Sequence, residues 1–219
     1  MAVLEARSLG KSYGTTCIIE DTSFSLEEGQ SIAFVSPSGS GKSTLLSLLG
    51  LLLEPTSGEV VLDGKCAQDL SDEQRSVLRR TMIGFIFQHT QLVGSLRAVE
   101  NVMAPALFAK MPSGEARERA EELLVRFGLS ERIEHYPYQL SIGQKRRIAA
   151  ARALMLSPKL IIADEPTNDL DAASAKTVAD TLFDHVSAGG SLLYATHDPD
   201  LAARADTIMR LQGKTFRVE

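Results

Sequence analysis

The sequence contains little cysteine and no excess of basic residues. Its two cysteines, Cys17 and Cys66, are too few for a disulfide framework, and their surroundings are not typical of a metal site. We therefore expect a reducing compartment. The 23 Lys and Arg residues against 28 Asp and Glu residues give a net charge of −5, whereas proteins that coat nucleic acids are basic. We accordingly expect no nucleic-acid partner.

Long hydrophobic runs are also missing. The longest apolar run covers residues 45–53, whereas a membrane-spanning helix needs about 20 apolar residues. Residues 1–14 contain charges and a glycine where a signal peptide has an apolar core, so we expect no targeting segment. If the protein works at a membrane, we expect another chain to hold it there.

Short apolar runs separated by amphipathic stretches make up most of the chain. This alternation indicates an α/β fold with a parallel sheet covered by helices on both faces. The predicted strands are residues 3–9, 17–26, 31–35, 58–62, 82–87, 160–163, 191–195 and 207–211, with an edge strand at 214–218.

A leucine-rich helix is predicted over residues 42–52, and a mostly helical region over residues 99–135, with Ser113 as the N-cap of a helix. We expect one domain over residues 1–219. Its core would comprise about 1–88 and 158–219, with an α-helical subdomain inserted at about 89–157.

A glycine-rich loop lies between the predicted strand 31–35 and the helix that follows. Its glycines let several backbone N–H groups face one anion, and the helix N-terminus adds a positive dipole. Lys42 can reach the β- and γ-phosphates of a nucleotide, and the Ser43 hydroxyl can ligate Mg²⁺. The sequence therefore predicts nucleotide binding by a loop formed by Ser36, Pro37, Ser38, Gly39, Ser40, Gly41, Lys42, Ser43 and Thr44. The alternative, an unoccupied Gly/Ser turn, would leave Lys42 unexplained.

Two adjacent carboxylates, Asp164 and Glu165, follow the apolar run 160–163. In open α/β sheets, ligands bind at the carboxyl ends of the strands. Asp164 would hold Mg²⁺ through water, and Glu165 would orient or deprotonate the water that attacks the γ-phosphate. Taken alone, the pair could equally be a strand end that meets a helix N-cap.

The segment Leu-Ser-Ile-Gly-Gln, residues 140–144, precedes another predicted helix. Ser141 and Gly143 can present a hydroxyl group and free N–H groups to an anion at the helix start. The same residues would also serve as an ordinary helix cap, and this alternative stays open. The run Lys145-Arg146-Arg147 is interpreted as a solvated helix face, with contact to the nucleotide or a partner as the alternative.

These three segments occur in the order found in the ATP-binding cassette (ABC) ATPases, which the chain resembles from about residue 3 to 211. The resemblance implies a P-loop NTPase-like, mostly parallel sheet core, an antiparallel β-subdomain and an inserted α-helical signature subdomain. It also implies roles for further residues: Tyr13 stacking on adenine, Gln88 touching Mg²⁺ and the water, Gln144 in the signature, Asp171 at a dimer interface, and His197 at the γ-phosphate. The plainer alternatives are a surface aromatic for Tyr13, a strand end for Gln88 and a helix cap for His197. For Asp171 the alternative is a helix N-terminal charge favoured by the dipole, which is compatible with a place at the interface.

The resemblance further implies a mechanism. Two copies arranged head to tail would trap two ATP molecules, with Ser141 and Gly143 facing the other subunit's nucleotide. A separate membrane permease would place the protein at the cytoplasmic face of the membrane. The region from Gly84 to Val102 resembles the branch that serves lipoprotein release, macrolide export, peptide-antibiotic resistance and haem efflux, which favours export. Within that branch, residues 83–96 and 136–140 are somewhat similar to haem-efflux ATPases. The alternative is a regulatory ABC ATPase that controls a membrane partner without moving a solute.

The sequence departs from the family pattern at three positions. Ser36 replaces the first glycine of the phosphate loop, Ile142 replaces the second glycine of the signature, and Asp169 replaces a frequent asparagine. A serine at position 36 must avoid positive φ or tolerate strain. Ile142 is β-branched and restricts the backbone near the anion, so we expect ATP hydrolysis at an altered rate.

Overall fold

The structure is a computed structural model that describes residues 2–37 and 39–219. Over these residues, the chain alternates between strands and helices, in agreement with the predicted α/β class. The elements are β1 (Ala2–Tyr13), β2 (Thr16–Glu27), β3 (Ser31–Val35), α1 (Lys42–Leu49), β4 (Ser57–Leu62), β5 (Lys65–Cys66), α2 (Asp72–Met82), β6 (Ile83–Ile86), α3 (Ala98–Ala109), α4 (Ser113–Arg126), α5 (Ile142–Ala153), β7 (Leu160–Asp164), α6 (Ala172–Ser187), β8 (Ser191–Thr196), α7 (Pro199–Ala202), β9 (Thr207–Gln212) and β10 (Thr215–Val218).

The larger sheet has six strands in the order β10-β9-β3-β8-β7-β6. All neighbouring strands are parallel except β9 and β10, which form an antiparallel hairpin at one edge. The parallel sheet and the edge strand are therefore confirmed. Because the strands run in the same direction, the residues that follow β3, β6, β7 and β8 come together at one end of the sheet.

The smaller sheet has four strands in the order β2-β1-β4-β5, and all its pairs are antiparallel. It confirms the antiparallel part of the expected fold. Its long hairpin β1–β2 carries Ile18 and Ile19 next to the glycine-rich loop, within reach of the start of α1.

The central strands bury both of their faces, as their nearly continuous apolar sequences require. Along β7, Ile161 and Ala163 pack with α3–α6, whereas Leu160 and Ile162 pack on the other side with α1 and the small sheet. This alternation follows from the two-residue period of a strand. It holds β7 firmly and so fixes the position of the residues at its carboxyl end.

Two local predictions are wrong. Ser113 is the first residue of α4 and not its N-cap, because Pro112 has an extended backbone and its carbonyl accepts the first helical bond from the Ala116 N–H. Helix α1 ends at Leu49 and not near residue 52, since Gly50 closes the helix and Leu51 turns to positive φ.

Helices α3, α4 and α5 pack against one another between β6 and β7 in the chain. Within α3, Val99 and Val102 are fully buried, whereas Leu107 and Phe108 at its end are exposed. Among the described residues, no helix has the length and apolar character needed to cross a bilayer.

Candidate active site

The glycine-rich loop joins β3 to α1 with a backbone that requires glycine. Gly41 precedes α1 at φ 98°, and a Cβ atom added there would lie 2.8 Å from Cγ2 of Ile18. Gly39 also has positive φ. Ser36 does not, so the serine at the family's glycine position avoids the strained conformation. The expectation for Ser38 lies outside the described residues.

Lys42, the first residue of α1, folds its side chain back over this loop. Its Nζ donates to the carbonyl oxygens of Ser36 at 2.6 Å and Pro37 at 3.2 Å, and lies 3.8 Å from Oε1 of Glu165. The side chain is only 7% exposed. Ser40 adds a hydrogen bond from its hydroxyl group to the Pro37 carbonyl at 2.6 Å. A buried ammonium group therefore lies at the mouth of the loop.

Ser43 and Asp164 join the start of α1 to the end of β7. The Ser43 hydroxyl donates to Oδ2 of Asp164 at 2.5 Å. Burial raises the pKa of the Asp164 carboxyl, and the hydrogen bond from Ser43 opposes this rise. A hydroxyl group beside a carboxylate provides the hard oxygen ligands that Mg²⁺ prefers.

Glu165 follows Asp164 in the chain, and its carboxylate has partners other than Ser43. Its φ is 51°, and its N–H donates to the Ala195 carbonyl at 3.0 Å. Its Oε2 lies 2.9 Å from Nδ1 of His197, the residue after β8. The Glu165 side chain is 10% exposed, whereas that of His197 is 61% exposed. The structure thus brings Lys42, Glu165 and His197 into one cluster.

The helix-cap alternative for His197 is wrong, because the side chain of Asp198 caps α7. Gln88 lies two residues beyond β6 and is exposed. It lines a cavity of about 210 Å³ together with Ser43 and Asp164. His89 also lines this cavity, and no sequence motif indicated it.

The signature segment lies at the start of α5, where Ser141 and Gln144 form hydrogen bonds with each other. The Gln144 N–H donates to Oγ of Ser141 at 3.2 Å, and the Ser141 N–H donates to Oε1 of Gln144 at 2.9 Å. This reciprocal pair is a capping box. Ser141 is exposed, and Ile142 is 63% exposed at the first helical position. Among the described residues, these contacts do not include the cluster around Lys42.

Asp171 and Tyr13 also lie apart from that cluster. Asp171 caps α6 by accepting from the Ser174 N–H at 2.9 Å, and hydrogen bonds from Ser174 lower the pKa of its carboxyl. Tyr13 ends β1, is 53% exposed, and has the Lys11 ammonium 5.1 Å from its ring centroid. The plainer alternatives for both therefore hold, and they leave the proposed contacts with nucleotide or partner open.

The interpretation of residues 145–147 as a solvated helix face is wrong. Arg146 is buried and pairs with Asp169 at 2.7 Å, and Arg147 donates to the Phe127 carbonyl at 2.9 Å. Positions 143 and 146 lie three residues apart and so share one helix face. This spacing places Arg146 on the same helix face as Gly143, but it does not show that this face is buried.

Comparison with known proteins shows the family of the chain. The ABC transporter family pattern matches residues 19–168, and the chain belongs to this family. The lipoprotein-releasing system ATP-binding protein LolD of Maricaulis maris is 44% identical over 94% of the chain and 93% of its own length. The macrolide export ATP-binding/permease protein MacB of Aggregatibacter actinomycetemcomitans is 39% identical over 97% of the chain and 34% of its own length.

Among solved structures, the dimeric post-hydrolysis ATP-binding cassette MJ0796, bound to ADP and Pi, has a TM-score of 0.93 and 34% identity. The alignment covers 99% of this chain and 97% of that one. Within the family, the chain is the ATP-hydrolysing, ATP-binding subunit of an ABC transporter.

Proposed function

We propose that this ATPase works as a head-to-tail homodimer that closes around two ATP molecules and drives a separate membrane permease. The observation that carries the proposal is the cluster of Lys42, Glu165 and His197 next to the Ser43–Asp164 pair. Both lie at the carboxyl end of the parallel sheet, where ligands bind in such folds.

Each residue of the cluster has a chemical task. Lys42 leaves the loop carbonyls to bind the β- and γ-phosphates, together with the N–H groups of the loop and of Thr44 at the start of α1. Glu165 accepts a proton from the attacking water, and His197 holds the Glu165 carboxylate and contacts the γ-phosphate. Gln88, in the cavity next to Ser43, positions the water.

Ser43, Asp164 and Gln88 would hold Mg²⁺. The hydroxyl group, the buried carboxylate and the amide oxygen fit a hard cation, and the remaining ligands would be phosphate oxygens and water. When bound, Mg²⁺ neutralises charge on the β- and γ-phosphate oxygens. Ser43 would then exchange its hydrogen bond with Asp164 for a place among the ligands.

The signature supports a dimer because its groups face outward. Ser141 is exposed on the surface of the monomer, while its cap leaves the first N–H groups of α5 directed at an approaching anion. In the head-to-tail arrangement, Ser141, Gly143 and Gln144 would bind the partner's nucleotide. The loop ending at Asp171 would lie at the interface, and Tyr13 would stack on adenine.

A groove next to the site supports docking of a permease. A cavity of about 520 Å³ is lined by Leu52, Phe85, Phe87, Pro105 and Phe108, among others. Leu107 and Phe108 are 74% and 67% exposed. Large exposed apolar groups of this kind mark interaction sites. We propose that a cytoplasmic helix of the permease binds here and holds the ATPase at the cytoplasmic face of the membrane.

The names of the relatives favour export. The ATP-binding proteins of lipoprotein-releasing systems match the chain over nearly their whole length, and a macrolide exporter matches it over its ATP-binding part. We therefore propose that the permease moves an amphiphilic or hydrophobic cargo out of the cell membrane, with a lipoprotein as the first candidate.

The test is to reconstitute the chain with the permease in vesicles loaded with a labelled lipoprotein, and to measure Pi release and cargo release together. The expected result is that ATP drives both and that Lys42→Ala abolishes both. ATP hydrolysis with no release of any tested cargo, combined with an ATP-dependent change in another activity of the permease, would instead indicate a regulatory ATPase.

A further inference from the structure

A buried guanidinium group connects the signature helix to the loop that carries the catalytic carboxylate. Nη2 of Arg146 lies 2.7 Å from Oδ2 of Asp169, and its Nη1 lies 3.4 Å from the carbonyl oxygen of Glu165. The Arg146 side chain is 9% exposed, and its Nε has no hydrogen-bond partner within the described chain. Burying such a cation is unfavourable unless its partners fix its position.

The loop that Arg146 contacts, residues 165–171, has an unfavourable backbone at two non-glycine residues. Glu165 and Asp169 have φ of 51° and 58°. Such conformations persist only where the surroundings hold them. The Glu165 carbonyl oxygen accepts from the Asn168 N–H at 3.2 Å and from Arg146, so Arg146 is one of the groups that hold this conformation.

A second contact lies on the same face of α5. A Cβ atom added to Gly143 would lie 3.2 Å from Cδ2 of Leu170, so the signature glycine lets the loop pack closely on the helix. Gly143 and Arg146, three residues apart, therefore support the loop from one helix face. Helix α5 therefore contacts the loop at both points.

We propose that Arg146 and Asp169 form a positioning pair for ATP hydrolysis. The pair holds the left-handed backbone of Glu165, so that the carboxylate faces Lys42 and His197. It also links the signature helix of a subunit to the hydrolytic carboxylate of the same subunit. This inference rests on the proposed role of Glu165 in activating water. Arginine suits this positioning role because its planar guanidinium group donates to two acceptors at once, which a lysine ammonium does not do in the same geometry.

The test is a double-mutant cycle with Arg146→Gln, Asp169→Asn and the double variant, measured by steady-state Pi release and by nucleotide binding. Each single change is expected to lower kcat about tenfold, with KM and nucleotide affinity within about twofold of the original. Because the residues act through each other, the double variant is expected to be no slower than the slower single variant.

A matched control is the ion pair of Arg126 and Asp184, which has the same 2.7 Å separation but joins α4 to α6. Arg126→Gln and Asp184→Asn are expected to leave kcat unchanged. If Arg146→Gln does not fold, Asp169→Asn still decides the matter, since asparagine tolerates positive φ. Unchanged kcat in Asp169→Asn, losses that multiply in the double variant, or a loss confined to KM would overturn the proposal.

Failure of this inference differs from failure of the proposed function. In the first case, the original chain hydrolyses ATP, Glu165→Gln does not, and the Arg146 and Asp169 variants behave like the original. In the second case, Glu165→Gln itself turns over ATP at the original rate.

Discussion

Nδ1 of His197 lies 2.9 Å from Oε2 of Glu165, across the carboxyl ends of two neighbouring parallel strands. The other carboxylate oxygen lies 3.8 Å from Nζ of Lys42. One buried carboxylate thus lies between an ammonium group and an imidazole. The backbone at Glu165 is left-handed, with φ of 51°.

The first prediction concerns this contact. His197→Ala removes the group that orients the Glu165 carboxylate, so kcat is expected to fall by about 10²-fold, the lower end of the range for a positioned acid or base. Nucleotide affinity should change much less, because Lys42 and the loop remain. His197→Asn, which keeps a polar group near the position of Nδ1, serves as the control and should retain more activity. A parallel loss of kcat and nucleotide binding would contradict this role.

The second prediction concerns the charge on Asp164. Burial raises the pKa of this carboxyl, so its ionised form at neutral pH is unfavourable in the folded protein. Asp164→Asn is expected to raise the melting temperature of the nucleotide-free protein by about 2–4 °C, the equivalent of about 1 kcal/mol for this chain length. The amide oxygen can still accept from Ser43.

The sign of the pH dependence follows from the raised pKa. The rise in melting temperature caused by Asp164→Asn should become smaller as pH falls, because the Asp164 carboxyl of the unsubstituted protein then becomes protonated. The further stabilisation on adding ATP with Mg²⁺ should be largely lost. The exposed Asp63→Asn is the control, since asparagine tolerates its positive φ. A lower melting temperature for Asp164→Asn at neutral pH would refute this account of the site.

The third prediction concerns the isoleucine in the signature. Ile142 is 63% exposed and packs little within the subunit, so Ile142→Gly should cost at most about 1 kcal/mol of stability. Glycine removes the β-branched restriction near the anion, and the ATPase rate is expected to be equal or higher. Pi release and thermal unfolding are measured together, with Ile142→Ala as a second variant. A tenfold lower rate in a fully folded Ile142→Gly protein would contradict this expectation.

Most of the site could be predicted from the sequence, because its residues either follow a strand or lie at the start of a helix. The phosphate loop follows β3, Asp164 ends β7, and His197 follows β8, so strand positions alone indicate that they converge. Parallel pairing then fixes the end of the sheet at which they meet.

The role of Arg146 and the start of α4 could not be predicted, because they depend on a distant contact in one case and on a backbone conformation in the other. Arg146 lies in a run of three basic residues that is locally indistinguishable from a solvated face. It is buried because Asp169, 23 residues further on, and the Glu165 carbonyl supply its partners. Similarly, Ser113 has the chemistry of an N-cap, but the extended backbone of Pro112 places the helix start one residue earlier. Spacing along one element does not reveal either effect.

The fourth prediction concerns the groove beside the site. Phe108→Asp puts a charge on an apolar surface that we assign to the permease, so co-purification with the permease should fall by at least about tenfold. Nucleotide binding by the isolated chain should not change, because Phe108 lies outside the Lys42 cluster. Val218→Asp is the control, since Val218 is 63% exposed on β10. Equal retention of both variants by the permease would place the docking surface elsewhere.

Nucleotide-driven pairing of two subunits is the central claim, and sedimentation velocity on Glu165→Gln tests it most directly. With saturating ATP and Mg²⁺, the account predicts a species of twice the monomer mass. Adding Ser141→Asp should keep the chain monomeric, because aspartate preserves the cap on α5 but turns a negative charge toward the partner's phosphates. A Glu165→Gln protein that binds ATP yet stays monomeric, both alone and with the permease, would contradict the account.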